Sequence, residues 1–188
     1  MIKKALSKIT KRDLRHLLSA PRRFVRRRGF GIHSPFAFDF VRRVIAQPCS
    51  FYCYPQLDAE ARKVGIKRRV VRLVFRVALF FRPSQVTYLG VCNSAIKVAV
   101  DVACPHPNKC SGPRLAIVSG VLTEDEIGEA LRCAVDGGVV IFLGVKTEAV
   151  AMHSVWSEAE CGMLFLGTDT AIYTGLQHLP RQSFNVWI

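Results

Sequence analysis

Gln85-Val86-Thr87-Tyr88-Leu89-Gly90 is a short apolar run closed by glycine, and a helical pattern from about Ser94 to Ala103 follows it. The same unit recurs downstream. Leu115-Ala116-Ile117-Val118 reads as a second strand, and Thr123 caps a helix from Glu124 to about Val135 with Glu126 in its first turn. Gly137-Gly138 ends that helix, Val139-Val140-Ile141-Phe142 is a third strand, and a helix over about 147–159 carries Trp156. Two last strands, about 163–174 and Ser183–Ile188, flank a turn around Pro180 and suit an antiparallel hairpin. Short apolar strands alternating with helices predict an α/β fold with a mostly parallel sheet covered on both faces. Only 24 positions, 91–114, separate Gly90 from Leu115. That interval holds one helix and a loop but not two further βα units. About five strands are therefore expected, with 85–90 on an edge, then 115–118, 139–142 and the C-terminal hairpin.

Upstream of this sheet the pattern is helical. Ser34 is placed to cap a helix with Pro35 at its first position and Phe36, Phe40, Val41 and Val44 on one face. His33, just before it, reads as a packing and capping residue. Val70, Val71, Val74, Val77, Ala78 and Phe81 follow a 3.6-residue period, and Arg68, Arg69, Arg72 and Arg76 lie opposite, which reads as a solvated face. Residues 1–28 mix Leu6, Ile9, Leu14, Leu17 and Leu18 with Lys and Arg and end in Arg22, Arg23, Arg26, Arg27 and Arg28. The expected organisation is a basic arm at 1–28, a helical cap at 29–82 and a shortened α/β domain at 83–188.

The charge follows the same division. The chain of 188 residues carries a formal +13, but the balance is +17 through Arg82 and −4 from Pro83 onward. A basic, weakly amphipathic arm suits an anionic membrane surface or a nucleic acid, or else a solvated tail. Only Phe24 and Phe30 could act as stacking platforms, which argues against sequence-specific recognition of bases. Seven cysteines, an odd number, suit a reducing compartment rather than a disulfide framework. The longest apolar stretch, Val70–Phe81, is broken by Arg72 and Arg76 and falls short of the ~20 residues that span a bilayer. The expected location is the cytoplasm, peripheral at the inner membrane if the arm meets lipid.

Several segments carry a resemblance. Gly31-Ile32-His33-Ser34-Pro35-Phe36, Phe51-Tyr52-Cys53-Tyr54, the helix ending Phe80-Phe81-Arg82-Pro83, the strand closing at Gly90, and Leu179-Pro180-Arg181-Gln182-Ser183-Phe184 run through nearly the whole chain after the arm. Together they resemble the class I S-adenosylmethionine-dependent methyltransferases, and more narrowly an O-methyltransferase-like group of Bacteroidetes. The resemblance implies a Rossmann-like sheet, S-adenosylmethionine as cofactor, and contacts from Gly90, Asn93 and Ser119 if the chain is active.

The departures from that family are concentrated where it binds its cofactor. The acidic residue that precedes the family's first glycine is here Tyr88, and the later glycine of that turn is Ser94. The acidic residue that holds the ribose hydroxyls has no counterpart. The family's Asp after its fourth strand falls at Ser119, with Gly120 kept, and its paired metal-holding acids fall at Leu143 and Gly144. The 24-residue interval also omits the strands that the family places beyond its first strand. A doubly wound sheet binds its ligand where neighbouring connections leave in opposite directions, so losing those strands removes one wall of the crevice.

Other chemistry is thinly represented. Cys104, His106 and Cys110 offer zinc-ligand atom types, but their spacing matches no common structural site, and no metal is expected. Cys49 and Cys53 read as small buried residues, and His153 has no acidic neighbour to orient it. Three readings follow. The first is a degenerate methyltransferase-like protein without cofactor or catalysis that acts as a binding or scaffold protein, with a homodimer through the exposed edge strand as one option. The second is an active S-adenosylmethionine-dependent O-methyltransferase with an unusual site. The third is a basic peripheral protein that meets anionic membrane or nucleic acid through its Arg-rich first 82 residues.

Overall fold

The computed structural model describes residues 32–144 and 148–188. The arm assigned to residues 1–28 lies outside the described residues. Helix α1, Pro35–Phe40, begins as its sequence dictates: the Ser34 hydroxyl accepts the Ala37 amide at 3.3 Å, and Pro35 fills the first turn. A π-helical turn, Val41–Ile45, continues it and buries Val41, Val44 and Ile45. Phe40 is fully buried, with its ring centroid 4.7 Å from Phe165 and 5.5 Å from Phe80. Helix α2 spans Tyr54–Lys63 and α3 spans Arg68–Phe81. The buried face of α3 is wider than its period predicts, because Leu73 and Phe75 are buried as well, while Val70 is only half-buried. The helix stops where Arg82 takes a left-handed backbone, φ 47°, ahead of Pro83.

Among the described residues the sheet has six strands in the order β1-β2-β3-β5-β4-β6. These are β1 Val86–Gly90, β2 Leu115–Ser119, β3 Val139–Phe142, β4 Met163–Leu166, β5 Ala171–Thr174 and β6 Gln182–Asn185. β1 stands at one edge, as its short crossover requires. The expected count of five is corrected, and so is the hairpin. The run 163–174 is not one strand but a hairpin in itself, turned at Gly167–Thr170 by a Gly167 amide to Thr170 carbonyl bond of 2.9 Å. A Cβ on Gly167 would meet Ile188 Cβ at 2.6 Å, so only glycine fits that turn. β5 is then flanked on both sides, antiparallel to β3 and to β4, and the last strand can add only to the free side of β4. β6 does so in parallel, anchored by Gly162 amide to Leu179 carbonyl and Gln182 amide to Gly162 carbonyl bonds. Five strands therefore run in one direction and β5 alone opposes them.

Alternate strand residues feed two apolar layers. Leu115, Ile117, Val139, Ile141, Met163, Phe165 and Ile172 face α1–α3 and α4, Ser94–Ala103, which contributes Ala95, Ile96, Ala99 and Val100. Ala116, Val118, Val140, Phe142, Leu164 and Tyr173 face α5, Glu124–Val135, and α6, Ala149–Glu158. The connections β1–α4–β2, β2–α5–β3 and β3–α6–β4 all step the same way across parallel strands, yet α4 lies on one face and α5 and α6 on the other. The first crossover thus has the opposite hand to the other two. Such units are right-handed in about 98% of cases, because the twist of the strands favours that return path. β1–α4–β2 is the exception. Extensive packing of α4 against α3, and further contact with α2, holds it there.

Among the described residues, no helix is long and apolar enough to cross a membrane.

Candidate functional site

In open α/β sheets the ligand crevice lies beyond the carboxyl ends of the strands. Here that rim is formed by the ends of β1, β2 and β3 and the starts of α4, α5 and α6. Gly90 and Ser119, both singled out in the sequence, are direct partners in the β1–β2 register. Asn93 stands at the N-terminus of α4 with extended backbone, and its side chain makes no capping hydrogen bond. The three are brought to one rim.

Gly90 has φ +73°, and a Cβ there would stand 2.3 Å from the Ser119 carbonyl oxygen and 3.0 Å from Leu122. The glycine is demanded by the neighbouring strand end. Its amide donates to Glu126 Oε1 at 2.8 Å. The other carboxylate oxygen of Glu126 accepts the Thr123 amide at 2.9 Å and the Thr123 hydroxyl at 3.1 Å, while Glu126 N donates back to Thr123 Oγ1. This is a capping box that also closes the end of β1. The Thr123 and Gly90 amides hold the Glu126 carboxyl below its ordinary range.

The end of β2 is closed in the same way. The Gly120 amide donates to Glu148 Oε1 at 2.9 Å. Glu148 precedes α6 and is 2% exposed, and its Oε2 has no hydrogen-bond partner among the described residues. Burial pushes this carboxyl up, against the opposing pull of the Gly144, Gly120 and Leu143 amides. Tyr88, at the position where the resemblance implies an acid, is no anionic substitute. Burial, then the nearby Asp101 and Cys92, push its hydroxyl up to about 12.

Neither Glu126 nor Glu148 was singled out as a site residue by the sequence. Glu126 was legible as a helix-start residue, because Thr-x-x-Glu is a local signature, but its bond to Gly90 spans 36 positions. Glu148 carried no local signal at all.

The arginine stripe of α3 is corrected in part: Arg68 and Arg69 are exposed, as a solvated face requires, but Arg72 and Arg76 are half-buried and bonded to neighbouring elements. Arg72 grips Asp58 with two bonds, Nε to Oδ1 at 2.8 Å and Nη2 to Oδ2 at 2.5 Å, and lies 4.5 Å over the Tyr54 ring. Arg76 donates to the Val44 carbonyl and, at 3.1 Å, to the Tyr54 hydroxyl. Arg68 approaches Asp58 at 3.6 Å, and Arg69 and Lys67 both reach Asp169 in the β4–β5 turn. The stripe fastens the π-helical turn after α1, helix α2 and the hairpin turn to α3. The clefts of this layer include one of about 740 Å³ beside Phe51, Tyr52, Tyr54 and Arg72.

Cys104 and Cys110 bring their sulfurs to 3.3 Å, while His106 is exposed. Among the described residues no three His, Cys, Asp or Glu side chains gather where they could hold a metal ion. No protein-family model matches this chain, and no curated protein and no solved structure matches it either.

Proposed function

We propose that this chain is a shortened, methyltransferase-like protein that works by binding and not by catalysis. The observation that carries the reading is the filling of both strand-end amides: Gly90 N–H is held by Glu126 and Gly120 N–H by Glu148. A ligand approaching those amides would have to displace two carboxyl groups already seated there, and an anionic group would be repelled by Glu126. S-adenosylmethionine, the cofactor the resemblance implies, does not fit these residues. The acids expected before the first glycine and after the family's fourth strand are replaced by Tyr88 and Ser119, the paired metal-holding acids by Leu143 and Gly144, and the space freed by Gly90 is used by Ser119.

The topology supports the same reading. In a doubly wound sheet the helices change face where the strand order reverses. Here they change face between β1 and β2, but among the described residues no strand lies beyond β1 to mark a reversal. A Rossmann-like sheet cut at its switch point has this form. Calorimetric titration of the protein with S-adenosylmethionine to about 1 mM is expected to give no binding heat; affinity in the micromolar range, about −8 kcal/mol, would restore the enzyme reading with Gly90, Asn93 and Ser119 as contacts.

The surface this reading assigns to binding is the open edge of β1, with a second copy as partner. Leu115 N to Gln85 O and Val91 N to Ser119 O turn the odd-numbered backbone groups toward β2, which directs those of Val86 and Tyr88 to the open side. Proline at Val86 removes only an outward donor. Sedimentation of the parent should show concentration-dependent dimers and Val86→Pro should abolish them with the circular dichroism unchanged; a parent that stays monomeric removes the edge from the reading.

A further inference from the structure

We infer that Cys104 and Cys110 form a reversible dithiol–disulfide pair, closed by exchange with a small-molecule disulfide such as oxidised glutathione. The pair sits in the loop that carries the chain from α4 to β2. Cys104 ends α4, its amide bonded to the Val100 carbonyl at 2.8 Å, and Cys110 follows a 3₁₀ turn, Pro107–Lys109, with its amide on the Pro107 carbonyl at 2.8 Å. These backbone bonds set both residues so that the sulfurs stand 3.3 Å apart. A disulfide needs about 2.05 Å, a difference of about one ångström that side-chain torsions can supply within the existing loop. The surroundings leave the sulfurs free to react with each other. Besides each other, Cys104 Sγ meets the Pro83 carbonyl at 3.8 Å and a backbone hydrogen bond from His106, and Cys110 Sγ meets the His106 carbonyl at 3.6 Å.

Exposure sets the order of events. Cys110 is half-buried and Cys104 is buried, so the incoming disulfide meets Cys110 first. The Cys110 thiolate attacks one sulfur of oxidised glutathione; the glutathione S–S bond breaks, a Cys110–glutathione mixed disulfide forms, and one glutathione thiolate leaves. Cys104 then gives its proton to solvent and attacks the Cys110 sulfur. The Cys104–Cys110 bond forms as the second glutathione thiolate departs, so that two protein thiols are oxidised and one glutathione disulfide is reduced. Burial, then hydrogen bonding and charge from Cys110, hold the Cys104 thiol above its ordinary range, so the second step quickens as pH rises. Closure ties the end of α4 to the strand-leading loop, two residues before the bridge that joins Gly112 to Pro83 at the foot of β1. The bond is therefore a redox staple on the one crossover of unusual hand.

The test equilibrates the full-length protein in glutathione buffers of graded oxidised-to-reduced ratio, quenches with acid, alkylates the free thiols and maps the peptides. The expected product is a Cys104–Cys110 disulfide, about 2 Da lighter than the dithiol, formed ahead of any other pair and reversed by excess reduced glutathione. Cys104→Ser should stall as the mixed disulfide on Cys110. Cys110→Ser, a change at the more exposed position, should leave Cys104 reduced at every ratio, and it serves alone if Cys104→Ser does not fold. A parent that accumulates the mixed disulfide, pairs other cysteines first, or keeps both thiols alkylatable throughout overturns the inference.

Discussion

Gly90 and Ser119 end adjacent parallel strands so closely that a single methyl group on Gly90 would stand 2.3 Å from the Ser119 carbonyl oxygen. The site of a glycine expected to admit a cofactor is occupied from within. Gly90→Ala should cost about 2–3 kcal/mol in urea unfolding, from strain at positive φ together with the clash. Gly120 also has positive φ, +86°, but nothing lies within 4 Å of the place its Cβ would take. Gly120→Ala should cost only the strain, about 1 kcal/mol. Equal losses in the two variants would show that packing against Ser119 is not what requires Gly90.

The Asp58–Arg72 pair gives the fold an acid-sensitive joint between α2 and α3. The Arg72 hydrogen bond is the main cause that holds the Asp58 carboxyl below its ordinary range. A depressed value means a contribution that is complete above the unfolded carboxylate value of about 4 and is lost as pH falls through the folded one. Asp58→Asn should destabilise the protein by about 1–2 kcal/mol at neutral pH, toward the low end because the Arg72 side chain is a third exposed. The difference should close on acidification, as followed by thermal melts across pH.

Glu148 has the opposite sign. Its carboxyl is raised by burial, so its favourable contribution is present below the ordinary glutamate value, about 4.3, and is lost as pH rises through the folded value. Glu148→Gln keeps a carbonyl oxygen for the Gly120 amide and removes the buried charge. The variant's melting temperature should gain on the parent's steadily from acidic to neutral pH. A gap that is flat across pH would show that Glu148 carries no buried charge at neutrality.

The basic arm lies outside the described residues, and its chemistry is tested in solution. Replacing Arg22, Arg23, Arg26, Arg27 and Arg28 with Ser removes five positive charges. Parent protein should bind anionic vesicles at low salt and release them as the Debye length shrinks to roughly 10 Å near 0.1 M, and the variant should lose most of that binding with its melting temperature unchanged. Undiminished binding by the variant would make the arm a solvated tail.

What the sequence made legible was local. The Ser34 cap, the Thr123–Glu126 box and the first three strands each rest on residues a few positions apart, and each stands where its pattern placed it. The break at Gly167–Thr170 was hidden inside a run of apolar residues that also reads as one long strand. β6 found β4 because β5 had no free side, a competition among strands that no single segment records. Arg69 is exposed as read, but its bond to Asp169 was not visible because the partners are 100 positions apart. At the rim, Gly90, Asn93 and Ser119 could be placed by resemblance, but the carboxylates that close the strand ends come from α5 and from the residue ahead of α6.

The crossover β1–α4–β2 bears on how the chain reaches this state. Strand twist alone steers such a connection to the opposite face of the sheet, so its hand must be imposed from outside the unit. Among the described residues, the surface on that face against which α4 is seated is the one offered by α3 with α2 beside it. The helices of residues 54–81 therefore act as a template as well as a cover. If β1 and β2 pair before those helices are in place, the mirror-handed crossover is the easier one to make, and the chain must undo it before α4 can dock. The order expected of assembly is the helical layer first and the edge of the sheet after it, which pulse-labelled hydrogen exchange would read as protection in 54–81 ahead of β1.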